Sequence, residues 1–259
     1  MQEFEYLKAS SITDALDMFN KSNEPSYLAG GHTILPTMKQ NLAAPSHLID
    51  ISSIPELKSI TVDDKYVTIG AGTVHADVAD SKAIQEAIIG LSILASGIGD
   101  PQVRARGTIG GSLANSDPAA DYPAAVLALK ATIITNEREI HCSDFFTELF
   151  ETALNEGELI TGVRFSIPLK SSYMKFPNPA SRYAIVGVMY SEFNDGPCVA
   201  VTGAGPFAFR STEIEEALIS GKEIPTITST DFNSDIHASS EYRAHLVSVM
   251  AKRAIESAS

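Results

Sequence analysis

The sequence predicts an α+β fold rather than a doubly wound parallel sheet. Two strand-like pairs are joined by tight polar turns, one at Asp63-Asp64 and one at Asn194-Asp195-Gly196. Helical runs lie between and after these hairpins instead of alternating regularly with single strands. The pattern also changes after Pro168, where strand-like segments follow one another before two closing helices.

Taken in order, SITDALDMFN (11–20) spaces Ile12, Ala15, Leu16 and Phe19 as one helix face, with Ser10 or Ser11 at its N-cap. SYLA (26–29) reads as a short strand that Gly30-Gly31 breaks. A short helix, TILPTMKQ, follows, and its Pro36 fits only in the first turn. HLIDIS (47–52) is a strand, and LKSITV with YVTIGAG forms the first hairpin. Residues 75–96 read as helix, then comes a glycine-rich stretch and a helix near 121–129. ATIIT and EIHCS are strands, DFFTEL a short helix and ELITGVRFSI a long strand. Beyond Pro168, SYMKF, YAIVGVMY and CVAVTGAG are strands. Thr212 with Glu215 makes a capping box for a helix ending at Gly221, and a polar connection over 222–236 leads to a last helix at 239–257.

Bulk properties narrow the functional classes. The chain has 259 residues, 44% hydrophobic and 20% charged, the balance of a soluble globular protein. A net charge of −13 leaves no basic excess for nucleic acid. No apolar run approaches the roughly 18 residues of a membrane span. MQEFEYLKASS lacks the basic and apolar regions of a signal peptide, so a cytoplasmic location is expected. Cys142 and Cys198 are too few for an iron–sulfur cluster, and the six histidines show no HxxxH or HExxH spacing for a metal.

Four glycine turns carry the functional question. Ala29-Gly30-Gly31-His32-Thr33, between a strand and a helix, is either a bare turn or a place where backbone and helix N-terminus meet a pyrophosphate. Gly70-Ala71-Gly72-Thr73-Val74-His75 imitates the dinucleotide fingerprint, but a histidine stands where close helix packing needs a small residue. Thr108-Ile109-Gly110-Gly111-Ser112 has no following GKS or GKT and so is no P-loop. Its glycines and flanking hydroxyls could converge on one oxyanion. Asp117 and Asp121 lie beyond it; Asp121 is either a helix N-cap, an acceptor for a sugar hydroxyl, or both. Gly203-Ala204-Gly205-Pro206-Phe207-Ala208 is a strand end and turn, because Pro206 removes a donor and Phe207 is bulky. The two glycine-glycine turns together suit a dinucleotide extended between two subdomains.

At these segments the sequence resembles the flavoprotein (medium) subunits of the molybdenum hydroxylases, the group of carbon monoxide dehydrogenase and the FAD domain of xanthine dehydrogenase. YLAGGHTILPTMK (27–39) looks like that family's first FAD loop, and GIGDPQVRARGTIGGSLANSDPAADYPAAVLAL (97–129) like its second. GELITGVRF, SYMKF and VAVTGAGPFAFRSTEIEEALISG fit the segments leading into and through the C-terminal domain. The chain is short for the group and lacks the cysteine-bearing insert of the benzoyl-CoA reductase branch.

The resemblance implies an FAD-binding domain of the vanillyl-alcohol-oxidase type over 1–168, split into α/β subdomains at about 1–53 and 54–168. A C-terminal domain with a small antiparallel sheet and helices fills 169–259. It implies that Ala29, Gly30, Gly31, His32, Thr33, Ile34, Leu35 and Pro36 hug the FAD diphosphate on one side. Thr108, Ile109, Gly110, Gly111 and Ser112 do so on the other, through backbone N–H groups and hydroxyls. Asp121, and not Asp117, turns towards the cofactor, Ile98 and Ile160 are apolar walls, and Lys175 stands near the flavin N1–C2 edge. It further implies a small iron–sulfur subunit with two [2Fe–2S] clusters and a large subunit with the molybdenum cofactor, in a dimer of heterotrimers. This chain is then the electron-exit module, with no catalytic acid–base residues of its own. Two other classes stand beside it: a stand-alone flavin or nicotinamide oxidoreductase, and a structural subunit without cofactor, against which the intact AGGHT and TIGGS segments argue.

Overall fold

The computed structural model describes residues 1–259 as three layered units around a long cleft. The first begins with β1 (Glu5–Lys8) and α1 (Ile12–Lys21), which Ser11 caps by accepting from the Asp14 N–H. β2 (Pro25–Leu28), α2 (Ile34–Lys39) and β3 (His47–Asp50) complete it. β1 and β2 both pair with β3 in parallel, giving a three-stranded sheet with Ile49 and Ala15 in its core.

After a 3-10 turn at Pro55–Lys58, the hairpin of β4 (Ile60–Val62) and β5 (Tyr66–Gly70) forms as expected. Asp63 closes it by accepting from the Lys65 and Tyr66 N–H groups. The expected single helix over 75–96 is instead three: α3 (His75–Asp80), α4 (Lys82–Ala87) and α5 (Ile89–Ser96). The break at Ser81 is local chemistry, since its hydroxyl accepts from the Ile84 N–H and starts a new helix.

α6 (Pro101–Arg104), α7 (Ile109–Asn115) and α8 (Tyr122–Ala128) follow. β6 (Thr132–Thr135) and β7 (Glu139–His141) come next. The expected helix at 144–149 is displaced: α9 spans Cys142–Phe145, and Phe146–Glu148 is β8, paired with β9 (Glu151–Thr152). β10 (Ile160–Ser166) lies between β5 and β6, completing an antiparallel sheet ordered β4-β5-β10-β6-β7.

The last unit is a four-stranded antiparallel sheet of β11 (Lys170–Pro177), β12 (Ala184–Phe193), β13 (Gly196–Thr202) and β14 (Phe209–Arg210). α10 (Thr212–Ile219) and α11 (Ser240–Ser257) pack with it. The expected capping box at Thr212 is absent, because Glu215 is buried and turned away. It accepts from the Val199 N–H and pairs with Arg210, a tertiary bond that outcompetes the local one. Tyr173, Met189 and Ala200 of the last sheet share the central core with α8 and α5, so the layers are joined by packing and not by a loose linker.

Candidate functional site

The cleft has a volume of about 580 Å³, within the size range of small-molecule sites, and all three units supply its walls. Its geometry starts from glycine. A Cβ at Gly30 would overlap the Arg106 carbonyl, so only glycine lets the first turn lie directly against the segment that enters α7. Gly31, at φ +76°, turns the chain from β2 into α2. Gly110 allows α7 to press on the end of β5, where a Cβ would stand 2.5 Å from that of Ala71. The two glycine-glycine turns therefore meet across one cleft.

Their hydrogen bonding is asymmetric. The N–H groups from Gly30 to Ile34 donate to no protein acceptor, and these residues line the cleft. They leave a row of unpaired donors beside the cleft, the kind of arrangement that holds a phosphate. Across from them, the N–H groups of Ile109, Gly110, Gly111 and Ser112 are all committed, to Thr73 O, Ala71 O, Thr108 Oγ1 and Thr108 O. The glycines here do not end a strand as a bare turn; Thr108 caps α7 and they form its first turn. With those N–H groups taken up inside the protein, the expectation that this stretch grips an anion through them is corrected to a wall shaped by glycine, which Thr108 and Ser112 help to line.

Of the other expected residues, Ala29, His32, Thr33, Ile34, Ile98, Ile160 and Asp121 also line the cleft. Leu35, Pro36, Ile109 and Lys175 do not. Ile109 is in the central core, and Leu35 packs against Gly31. Lys175 Nζ donates to Gly97 O at 2.8 Å, Arg182 O at 3.0 Å and Asp121, with which it forms an ion pair. An ammonium has three N–H bonds, and all three of Lys175 are taken up here by protein acceptors, which makes it a clamp between β11, α8 and the β11–β12 loop.

Asp121 occupies the cap position of α8 but makes no cap bond. Its carboxylate accepts from Tyr173 Oη and from Lys175, across the seam between α8 and β11. Burial pushes its pKa up, and Lys175 and Tyr173 only partly offset this. Asp117 also lines the cleft. Its Oδ1 accepts from the Ala119 N–H and its Oδ2 is unbonded, so it is Asp117 that keeps a free acceptor.

Several cleft residues had no readable local signal. Glu158 sits in the wall with its carboxylate bonded to Arg138, Thr135 and the Asn155 N–H, which hold it well below the usual range, at about 2. Ser181, Arg182 and Tyr183 arrive from the β11–β12 loop; His75, noted in the sequence only as a misfit in an imitated fingerprint, comes from the start of α3.

Comparison with known proteins assigns this geometry. Residues 2–169 match the model of the FAD binding domain in molybdopterin dehydrogenase. The chain belongs to this FAD-binding family. It is 32% identical to the glyceraldehyde dehydrogenase medium chain of Sulfolobus acidocaldarius, covering 98% of each chain. It is 31% identical to the carbon monoxide dehydrogenase medium chain of Hydrogenophaga pseudoflava, covering 98% of this chain and 96% of that one. The fold superimposes on reconstituted carbon monoxide dehydrogenase from Oligotropha carboxidovorans with a TM-score of 0.90 and 28% identity, over 98% and 97% of the two chains. The chain is thus an FAD-binding oxidoreductase subunit of the molybdenum hydroxylase type. The residues present fit that cofactor: the unpaired donors of the first turn suit its diphosphate, and Ile98 and Ile160 give apolar wall for a ring system. No helix is long and apolar enough to cross a membrane.

Proposed function

We propose that this chain is the electron-exit subunit of a multi-subunit molybdenum hydroxylase. It would receive electrons from [2Fe–2S] clusters of a small partner and deliver them to an external acceptor. A large partner would carry the molybdenum cofactor and choose the substrate, and two such trimers would pair. The names of the relatives, medium chains of dehydrogenases, support a small and a large companion. The observation that carries the reading is the row of unpaired N–H groups from Gly30 to Ile34 facing a glycine-shaped wall.

When bound, the flavin supplies reversible electron transfer; the protein supplies binding, orientation and electrostatics. The Gly30–Ile34 donors would take the diphosphate, the Ser112 hydroxyl would face it from α7, and Asp117 Oδ2 would accept from a cofactor hydroxyl. Asp121, clamped by Lys175 and Tyr173, would fix α8 and the β11–β12 loop at the site. We read 1–168 as the FAD-binding domain, with subdomains 1–53 and 54–168, and 169–259 as the C-terminal domain. The family match ending at residue 169 supports that boundary. Two buried free cysteines accord with a reducing, cytoplasmic setting.

Co-purification with metal analysis tests the proposal. The expected result is FAD released from this chain on denaturation, with iron and molybdenum in its partners and flavin bleaching only when substrate meets the whole complex. A colourless chain that cannot be reconstituted with FAD, or one that never associates with iron- and molybdenum-bearing partners, would refute it.

A further inference from the structure

The segment Gly70-Ala71-Gly72-Thr73-Val74-His75 imitates a dinucleotide fingerprint, which His75 breaks by sequence alone. In the fold, His75 opens α3 directly under the meeting point of the two glycine turns. Its backbone N–H donates to Gly107 O, and a Cβ at Gly107 would lie 2.6 Å from its Nε2. The side chain lines the cleft while only 5% of the residue is exposed. No protein atom hydrogen-bonds the ring, and Nδ1 is a buried polar atom without a partner.

Its surroundings repeat the pattern. The Tyr122 ring is tilted against the imidazole at 5.3 Å between centroids, and Tyr122 Oη and Thr73 Oγ1 are likewise buried and unpartnered. Buried polar atoms in folded proteins are nearly always satisfied. Of these three residues only His75 lines the cleft, so its ring, which has no partner within the protein, is the one that a bound group can reach. The donor row of Gly30–Ile34 faces the same cleft, so the ligand group beside it is an anion, and an imidazole next to an anion must donate.

We infer that His75 is a cofactor-contacting residue, whose imidazole N–H donates to a phosphate oxygen of the bound dinucleotide. This rests on the FAD reading of the cleft and adds to it a side chain from a third segment, below the two glycine turns. Burial, with His32 and Arg104 nearby, pushes the imidazole down to about 4, so near neutral pH it is uncharged and carries one N–H.

The test uses the full chain in whichever form takes up FAD, alone or in its complex, with His75→Leu and His75→Gln compared with wild type. FAD, ADP and riboflavin are the probes, followed by fluorescence or calorimetric titration. Loss of a hydrogen bond to a charged group predicts that His75→Leu binds FAD and ADP about ten- to a hundredfold more weakly. Riboflavin, which has no phosphate, should bind as before, and the amide N–H of His75→Gln should restore part of the loss. The melting temperature of the FAD-free chain should stay level or rise, because the leucine removes an unsatisfied buried group. Wild-type affinity for FAD and ADP in both variants would overturn the inference and leave buried water as the partner. An equal loss for riboflavin and ADP would also overturn it, placing the effect away from the phosphate. A wild-type chain that takes up no FAD would instead fell the underlying reading of the cleft.

Discussion

Gly111→Leu separates a binding wall from a folding requirement. Gly111 lies in the first turn of α7, and the only group near a Cβ placed there is Thr108 Oγ1, at 2.9 Å; beyond it the way is open into the cleft. The stability terms nearly cancel. Replacing an in-helix glycine by leucine gains about 0.7 kcal/mol. Crowding the Thr108 cap, whose oxygen accepts from the Gly111 N–H at 3.1 Å, costs about 1 kcal/mol. The net change should therefore stay within about 1 kcal/mol, a melting shift of roughly 2–4 °C in a chain of this size. Binding should respond very differently. The leucine occupies the wall opposite the Gly30–Ile34 donors and would push the diphosphate off at least two of them. At about 1.5–3 kcal/mol for each charge-assisted bond, affinity falls at least a hundredfold. The assay pairs a thermal melt of the FAD-free chain with the FAD content and titrated affinity of the purified protein. A variant that purifies yellow with wild-type FAD affinity would refute the assignment of this wall.

Gly30→Ala should behave in the opposite way, because its Cβ overlaps backbone and not open cleft. The expected outcome is loss of FAD together with destabilisation of about 1–3 kcal/mol, read by denaturant titration. Lys175→Met strands the buried Asp121 carboxylate and should cost about 3–5 kcal/mol, most of it recovered in Asp121→Asn/Lys175→Met. With its N–H bonds already spent, Lys175→Met should leave the flavin midpoint potential unchanged; a large shift would restore Lys175 to the flavin edge. Arg138→Met should raise the pH of acid unfolding. The folded-state pKa of Glu158 is depressed from 4.5 to about 2, so its stabilisation is full above about pH 4.5 and is lost as pH falls through about 2. An unchanged acid midpoint would show that the Arg138 pair contributes nothing there.

The elements that local chemistry dictates were readable from the sequence. Ser11 as a cap, the Asp63-Asp64 hairpin and the Gly196 turn at φ +125° each follow from a few neighbouring residues. What failed was decided by distant partners. Glu215 left its expected capping box for Arg210 and Val199, and the Lys175 N–H bonds went to Gly97, Arg182 and Asp121. The glycine turns show both cases at once. Their meeting was inferable, because paired glycines let backbones approach. Which turn kept its donors was not, because that depends on whether Ala71 O and Thr73 O reach α7, a fact of the tertiary fold. Ser181–Tyr183 had no local signal for the same reason, and His75 showed only as a misfit in an imitated fingerprint: the cleft recruits them from the ends of other elements.

That asymmetry gives the two turns different tolerances. On the Gly30–Ile34 side the backbone itself binds, so side chains are free to vary where they leave φ at Gly31 and the approach at Gly30 intact. Thr33 illustrates this freedom, since its exposed hydroxyl bonds to no protein group, whereas the His32 ring reaches Gln102 O at 3.4 Å. On the α7 side the donors are already spent on the protein, so affinity there depends on shape and on hydroxyls. Thr33→Ala should consequently leave FAD affinity near wild type, while Ser112→Ala should weaken it by the value of one hydrogen bond, severalfold to about tenfold. The reverse ranking in FAD titrations would mean that side chains of the first turn, and not its N–H groups, carry the binding.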